Sequence, residues 1–336
     1  PYTTLFRSPK DIIAGFIKAL GKSPVSGGNR LTLLRDADGD GAYEMQGVFA
    51  DGLNSPYGLA QIGNFIYVAN QDAVVRFDYT EGQTQASGPP VTLTDLPKAI
   101  NHHWTKAMTA SADGRFLYVG IGSNSNITER GMEAEEDRAM IWQIDVETGM
   151  HRQYATGLRN PTALTIQPGT GQLWAVVNER DEIGDNLVPD YLTSVQEGGF
   201  YGWPYSYWGQ VVDDRVPQDA AAVASAVRPD YALGGHTASL GLCWVPEGTL
   251  PGLPSGMAIG QHGSWNRAKL SGYRLIFVPF ENGKPSGEPR DLLTGFLSED
   301  ERFSFGRPVG VALGPDRKSL LLADDVGNVI WRVSGA

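Results

Sequence analysis

Short apolar runs alternate with polar positions along most of the chain, and they recur in sets. Five times a small residue, an apolar residue and a small or β-branched residue stand together. The copies are Gly58-Leu59-Ala60, Ala107-Met108-Thr109, Ala163-Leu164-Thr165, Gly241-Leu242-Cys243 and Gly310-Val311-Ala312. In four sets a turn follows, at Gly63-Asn64, Asp113-Gly114, Gly169-Thr170 and Asp316-Arg317. A second apolar run comes next: Phe65 to Val68, Phe116 to Val119, Leu173 to Val176 and Leu320 to Ala323. Third runs are Val74 to Phe77, Met140 to Ile144, Tyr273 to Phe277 and Val329 to Val333, and fourth strands are expected to end near Phe49, Leu93, Tyr154 and Leu293. Period-two alternation predicts half-buried antiparallel strands, and the turn residues suit tight hairpins.

Four strands per set, repeated along one chain, predict a β-propeller, with a sandwich or barrel as the alternative. Small residues in each first strand favour the propeller, because innermost strands crowd around the axis. Ahead of the five sets stand Arg30 to Leu34 and Gln46 to Phe49, which read as the third and fourth strands of a further blade. The expectation is an all-β, six-bladed propeller truncated at its start, about five and a half blades. Helical spacing occurs only at Pro9–Leu20 and Ala220–Val227. Residues 1–8 can be spelled by a common sequencing-adapter oligonucleotide and read as a non-native segment, leaving 9–336 as a single propeller domain.

Strand direction alternates within a blade, so loops joining strand four to the next strand one, and strand two to strand three, share one face. That set holds Asn101 to Lys106, Arg159-Asn160-Pro161, Gly235-His236-Thr237 and Gly306-Arg307-Pro308. It also holds Ser123 to Asn126, Asn178 to Glu182, Gln261 to Arg267 and Asp324-Asp325. Four of the five His fall there. Imidazole, guanidinium and amide groups converging on one mouth suit an anionic, polar ligand.

Composition narrows the field. A net charge of −11 disfavours a nucleic-acid or anionic-membrane binder. No stretch is apolar enough for a spanning helix. The single Cys243 rules out an intramolecular disulfide or a Cys-based metal cluster. GxGxxG, Walker, GxSxG and HExxH patterns are missing, so nicotinamide, ATP, serine-hydrolase and zincin chemistry lack their motifs. Asp36-Ala37-Asp38-Gly39-Asp40-Gly41 resembles the start of a calcium loop, but its twelfth position is Gly47 rather than Glu. An Asp/Gly-rich hairpin is the expectation, with a weak surface calcium site as the minority reading. The run Glu133, Glu135, Glu136, Asp137 is expected to be a solvated loop.

Six segments in order resemble one family: Asn101-His102-His103-Trp104-Thr105-Lys106, Gly157 to Pro161, Val177 to Glu182, Gly198 to Pro204, Gly263-Ser264-Trp265-Asn266-Arg267 and Gly306 to Val309. Together they are similar to the sorbosone dehydrogenase group of the soluble quinoprotein sugar dehydrogenases, over roughly residues 30–336. The resemblance implies a six-bladed propeller binding pyrroloquinoline quinone (PQQ) and Ca²⁺, exported to the periplasm or secreted. It implies oxidation of an aldose, a sorbosone-like sugar aldehyde or a polyol, with an external quinone or cytochrome as electron acceptor. It gives His103, or the adjacent His102, the role of general base, and Arg159 a place beside the quinone oxygens. Asn160, Arg267, Arg307, Lys106 and His262 are the implied cofactor-binding residues. Backbone carbonyls of Glu179, Arg180 and Asp181 are the implied Ca²⁺ ligands. The Glu-Arg-Asp-Glu metal loop departs from the Gly-Pro of glucose-oxidising members. A calcium-dependent lactonase-type hydrolase and a non-catalytic scaffold are the competing readings, and the Arg-rich mouth favours the dehydrogenase.

Overall fold

The computed structural model describes residues 28–335; the adapter-like segment and the helical pattern at Pro9–Leu20 lie outside the described residues. The chain opens with a hairpin of β1 (Leu31–Arg35) and β2 (Met45–Ala50). The first blade is the meander β3 (Gly58–Ile62), β4 (Phe65–Ala69), β5 (Ala73–Asp78) and β6 (Val91–Asp95). The second is β7 (Met108–Ala110), β8 (Phe116–Ile121), β9 (Met140–Asp145) and β10 (His151–Thr156). The third begins with β11 (Pro161–Ile166), β12 (Leu173–Val177) and β13 (Pro189–Ser194). An insertion follows, with a ribbon of β14 (Ser206–Tyr207) and β15 (Val211–Val212) and a short helix α1 (Ala220–Ser225) capped by the Asp219 carboxylate. The chain then returns as the fourth strand, β16 (Tyr231–Gly235).

The fourth blade holds β17 (Ser239–Val245), β18 (Gly256–Gln261), β19 (Arg274–Glu281), a short β20 (Lys284–Pro285) and β21 (Arg290–Leu293). The last has three strands among the described residues, β22 (Pro308–Leu313), β23 (Ser319–Asp324) and β24 (Val329–Ser334). All five expected small-residue segments mark the first strands of their blades, with Ala107 one residue ahead of β7. Among the blade strands, β13, β16 and β18 had no expected counterpart.

The first strands β3, β7, β11, β17 and β22 pack in succession around a channel of about 730 Å³. Their small residues have a steric cause. A Cβ on Gly58 would collide with the Lys106 carbonyl and Met108 of the next blade, and one on Gly241 with the Val309 carbonyl. The β1–β2 hairpin lies between the first blade and the last. Leu31 and Leu33 pack against Phe49, Val68 and Phe77, while Gly41 in its turn abuts Arg332 of β24. This is the place a sixth blade takes, so five blades and a hairpin make up the propeller-like ring.

The core lies between blades rather than at the axis. Tyr67, Leu117, Val119 and Ile144 join the first two blades, and Trp174, Ile259 and Ile276 join the third and fourth. Each such side chain contributes about 1.5–3 kcal/mol by leaving water. Trp174 also donates its indole N–H to Gln167 Oε1 at 3.0 Å, so no polar group is stranded. β24 is the outermost strand of its blade, and Val329, Ile330 and Trp331 are exposed on it. No helix of the described residues is long and apolar enough to cross a membrane.

Candidate functional site

One mouth of the ring holds a cavity of about 300 Å³. His102, His103, Arg159, Asn160, His236 and Ala238 reach it from four-to-one loops. Asn126, Asn178, Glu179, Asp181 and Gly263 to Asn266 reach it from two-to-three loops. These are the two loop classes that strand alternation puts on one face. Asp190, the second residue of β13, completes the lining.

His103 Nδ1 lies 2.8 Å from the Ser123 carbonyl and 3.0 Å from its hydroxyl. A carbonyl only accepts, so Nδ1 carries the proton and Nε2 is left as an acceptor. Burial, and then the neighbouring Arg159 guanidinium and His102, hold this imidazole well below its usual pKa, hence neutral. Gly122 makes the approach possible: a Cβ there would collide with both Asn160 Oδ1 and His103 Cβ.

Arg159 is buried and spends its donors on protein oxygens. Nε donates to Asn126 O at 3.1 Å, Nη1 to Glu179 O at 2.7 Å and Asn178 O at 3.3 Å, and Nη2 to Asn126 Oδ1 at 3.0 Å. Asp181 stands 3.6 Å away. Burial alone would raise the Asp181 carboxyl. The hydrogen bond from His236, the Arg159 charge and the Asn266 amide outweigh burial and hold it at about 2. That hydrogen bond in turn raises the His236 pKa.

Two acceptors stand out. Asn160 Oδ1 and Glu179 Oε1 are buried and have no hydrogen-bond partner among the described residues. Burial pushes the Glu179 carboxyl up to about 7 and Asp190 up to about 6. Asp190 is nonetheless satisfied, accepting from the Glu179 and Ala238 amides and the Thr237 hydroxyl. Unpartnered hard oxygens on a polar wall match the donor set a Ca²⁺ ion takes. The volume is at the small end for organic ligands and suits one compact polar cofactor. The lining therefore fits the groups that the sequence resemblance implies.

The other expected residues lie elsewhere. Arg180 is buried and paired with Asp213 through Nε and Nη2. Its Nη1 donates to Asp181 O, which also accepts from Asn126 Nδ2. Arg159 and Arg180 thus already occupy carbonyls of Glu179 and Asp181, the ones assigned to the metal. Arg267 does not line the cavity; it donates to Gly235 O and Asn186 Oδ1. Arg307 is buried beneath the mouth, donating to His262 O and Gly263 O. His262 bonds Asp325 at 3.0 Å and lines a separate cavity of about 920 Å³. Lys106 is fully buried, and burial, with Arg138 next, lowers its ammonium pKa to about 7.

The acidic run is not uniformly solvated. Glu133 and Glu136 are exposed, but Glu135 is buried in a 3₁₀ turn. It accepts from the Ser125 hydroxyl and the Asn124 amide, bracing the loop that holds His103. Nothing in spacing separates it from its neighbours, and Asp190 was missed with β13 itself, a strand buried for most of its length. In the β1–β2 turn, Asp36, Asp38, Asp40 and Glu44 bring one carboxylate oxygen each within 4.8 Å of the others, a set that could hold a divalent cation. They are largely exposed, cap amides of their own turn and belong to the loop class facing away from the mouth.

Fold and strand order together define a class, the β-propellers. Within it, the chain belongs to the TrAA12-like family, which matches residues 30–197 and 208–335. A PQQ-dependent pyranose dehydrogenase of Coprinopsis cinerea is 24% identical, over 81% of this chain and 45% of its own length. An uncharacterized protein of Borreliella burgdorferi is 29% identical, over 71% of this chain and 62% of its own. The chain thus spans less than two thirds of the length of these curated relatives. The holo PQQ domain of the Coprinopsis cinerea enzyme superposes with a TM-score of 0.78 at 22% identity, covering 91% of this chain and 88% of that one.

Proposed function

We propose that the chain is a quinoprotein oxidoreductase that oxidises an aldose, a sorbosone-like sugar aldehyde or a polyol, with PQQ and Ca²⁺ at the mouth cavity. The observation that carries this reading is the neutral His103, its Nδ1 committed to Ser123, on a wall shared with Arg159 and the unpartnered Asn160 Oδ1. Asn160, His102 and Asn266 would hold the cofactor, and oxygens of Asn160 and the Glu179–Asp181 segment would hold the metal. When bound, PQQ supplies the acceptor for the substrate hydride, and Ca²⁺ polarises it.

The chain's own residues supply the rest. His103 Nε2 takes the hydroxyl proton of the substrate as the carbon–hydrogen bond breaks. Ser123 fixes the tautomer and aims the ring. Arg159, anchored on four oxygens, presents a fixed positive charge where negative charge develops, with no reorganisation at that moment. Asp181 steadies Arg159 and His236 together. An external quinone or cytochrome as final acceptor, and a periplasmic or secreted location, belong to the same proposal.

The test is titration of the purified chain with PQQ and Ca²⁺, followed by the cofactor spectrum and then by its bleaching with an aldose panel. Saturable binding and sugar-dependent bleaching are expected. Lactone hydrolysis without quinone, and no PQQ binding, would replace this reading with the hydrolase.

A further inference from the structure

Lys106 and Arg138 are buried cations with no carboxylate within ion-pair distance among the described residues. A buried ammonium or guanidinium costs a great deal unless its donors are met. Where those donors go is informative. Lys106 Nζ donates to Asn101 Oδ1 and to Trp104 O, both at 2.9 Å. These acceptors stand immediately before and after the His102–His103 pair, so one ammonium brackets both imidazoles. Arg138 grips the same segment from β9's side. Its Nη1 donates to Asn101 Oδ1 at 3.1 Å and Gly122 O at 3.3 Å, and its Nη2 to Pro97 O and Ala99 O.

The gripped segment is strained. Ile100 and Asn101 both have left-handed backbones, at φ 64° and 52°. A β-branched residue there is an outlier that persists only when its surroundings over-determine it. Gly122, the second segment that Arg138 holds, leads directly into Ser123, the partner of His103 Nδ1. The base and the group that aims it are thus tied to one guanidinium.

We infer that Lys106 and Arg138 form a two-cation clamp, closed on the shared Asn101 oxygen, that positions His103 against Ser123. Lys106 is then a positioning residue rather than a cofactor ligand. The inference rests on His103 being the base, while the clamp itself is read without turnover.

The experiment compares the chain with Lys106→Met by hydrogen–deuterium exchange over residues 99–105, and by the NMR signal of the His103 ring in cofactor-free protein. Exchange is expected to rise about 10-fold or more, with a displaced ring signal, because a charged donor to two acceptors is lost. In loaded enzyme, kcat falls while KM for sugar is unchanged. Unchanged exchange and ring signal in Lys106→Met overturn the clamp. Should that variant fail to fold, Asn101→Ala carries the same readouts from a half-buried position and overturns the clamp on the same outcome. Failure of wild type to bleach PQQ with sugar removes the base reading but not the clamp; unchanged exchange removes the clamp but not the base.

Discussion

Two cavities flank the same pair of loops at the mouth, and they differ in kind. The larger, about 920 Å³, is lined by side chains that satisfy one another. Asn54 donates to Asp72 at 2.7 Å, Gln71 to Asn54 at 2.6 Å, Asn101 to the Gln71 carbonyl, and His262 meets Asp325. None of the buried unpartnered atoms belongs to its described lining. The smaller, about 300 Å³, keeps two oxygens without donors, a carboxyl raised to about 7, another held at about 2 and an imidazole kept neutral. Size marks room, whereas unmet polar groups mark a site awaiting a ligand.

The contrast is most exposed to His103→Ala. Dye reduction should fall by about 10²- to 10⁴-fold with PQQ binding intact in a spectral titration, while His262→Ala across the loop should change turnover only about two- to three-fold. Equal losses would erase the distinction between the cavities. Arg159→Leu comes next. It leaves the Asn178 and Glu179 carbonyls and the Asn126 amide oxygen without the guanidinium that bonds them, and chemical denaturation should show about 3–5 kcal/mol lost.

Glu179 offers a pH signature in metal-free protein. Its carboxyl binds a proton more tightly folded than unfolded, so stability falls as pH rises from about 4.5 to about 7. The loss should be about 2–3 kcal/mol for a fully buried acid and should disappear in Glu179→Gln, leaving the smaller slope of Asp190, whose carboxyl burial also raises, to about 6. Melting curves at pH 5 and pH 8 decide; a slope left unchanged by the substitution would assign it elsewhere. The smallest effect separates the cavities most cleanly. Asn160→Ala should leave apo stability within about 1 kcal/mol, because its oxygen has no partner to lose, yet weaken PQQ binding about 10-fold. Asp72→Ala should do the reverse, costing about 1–2 kcal/mol without touching PQQ affinity.

The backbone plan was legible because crowding at the axis writes itself into the sequence. Gly58 and Gly241 are small where a neighbouring strand leaves no room for a Cβ, and that spacing led to the propeller and to the loops of the mouth. β13 escaped because it opens Pro189-Asp190-Tyr191 and is buried on both faces for most of its length, so period-two alternation fails. Side-chain direction was the harder part. A loop position puts Arg267 or Arg307 on the right face, but the carbonyls of Gly235, His262 and Gly263 decide where each guanidinium turns. Glu135 shows the converse. An acid in a charged run is drawn inward when a Ser hydroxyl and an amide in a tight loop offer it two hydrogen bonds.

Gly122 sets a limit on sequence drift. Its hydrogen is the spacer between the His103 Cβ and the Asn160 amide, two groups that belong to different blades. A side chain there would act as a wedge, moving one of them by the width of a methyl group. Substitution at 122 should therefore survive only alongside a matching change at 103 or 160, so these three positions would vary together among relatives or not at all.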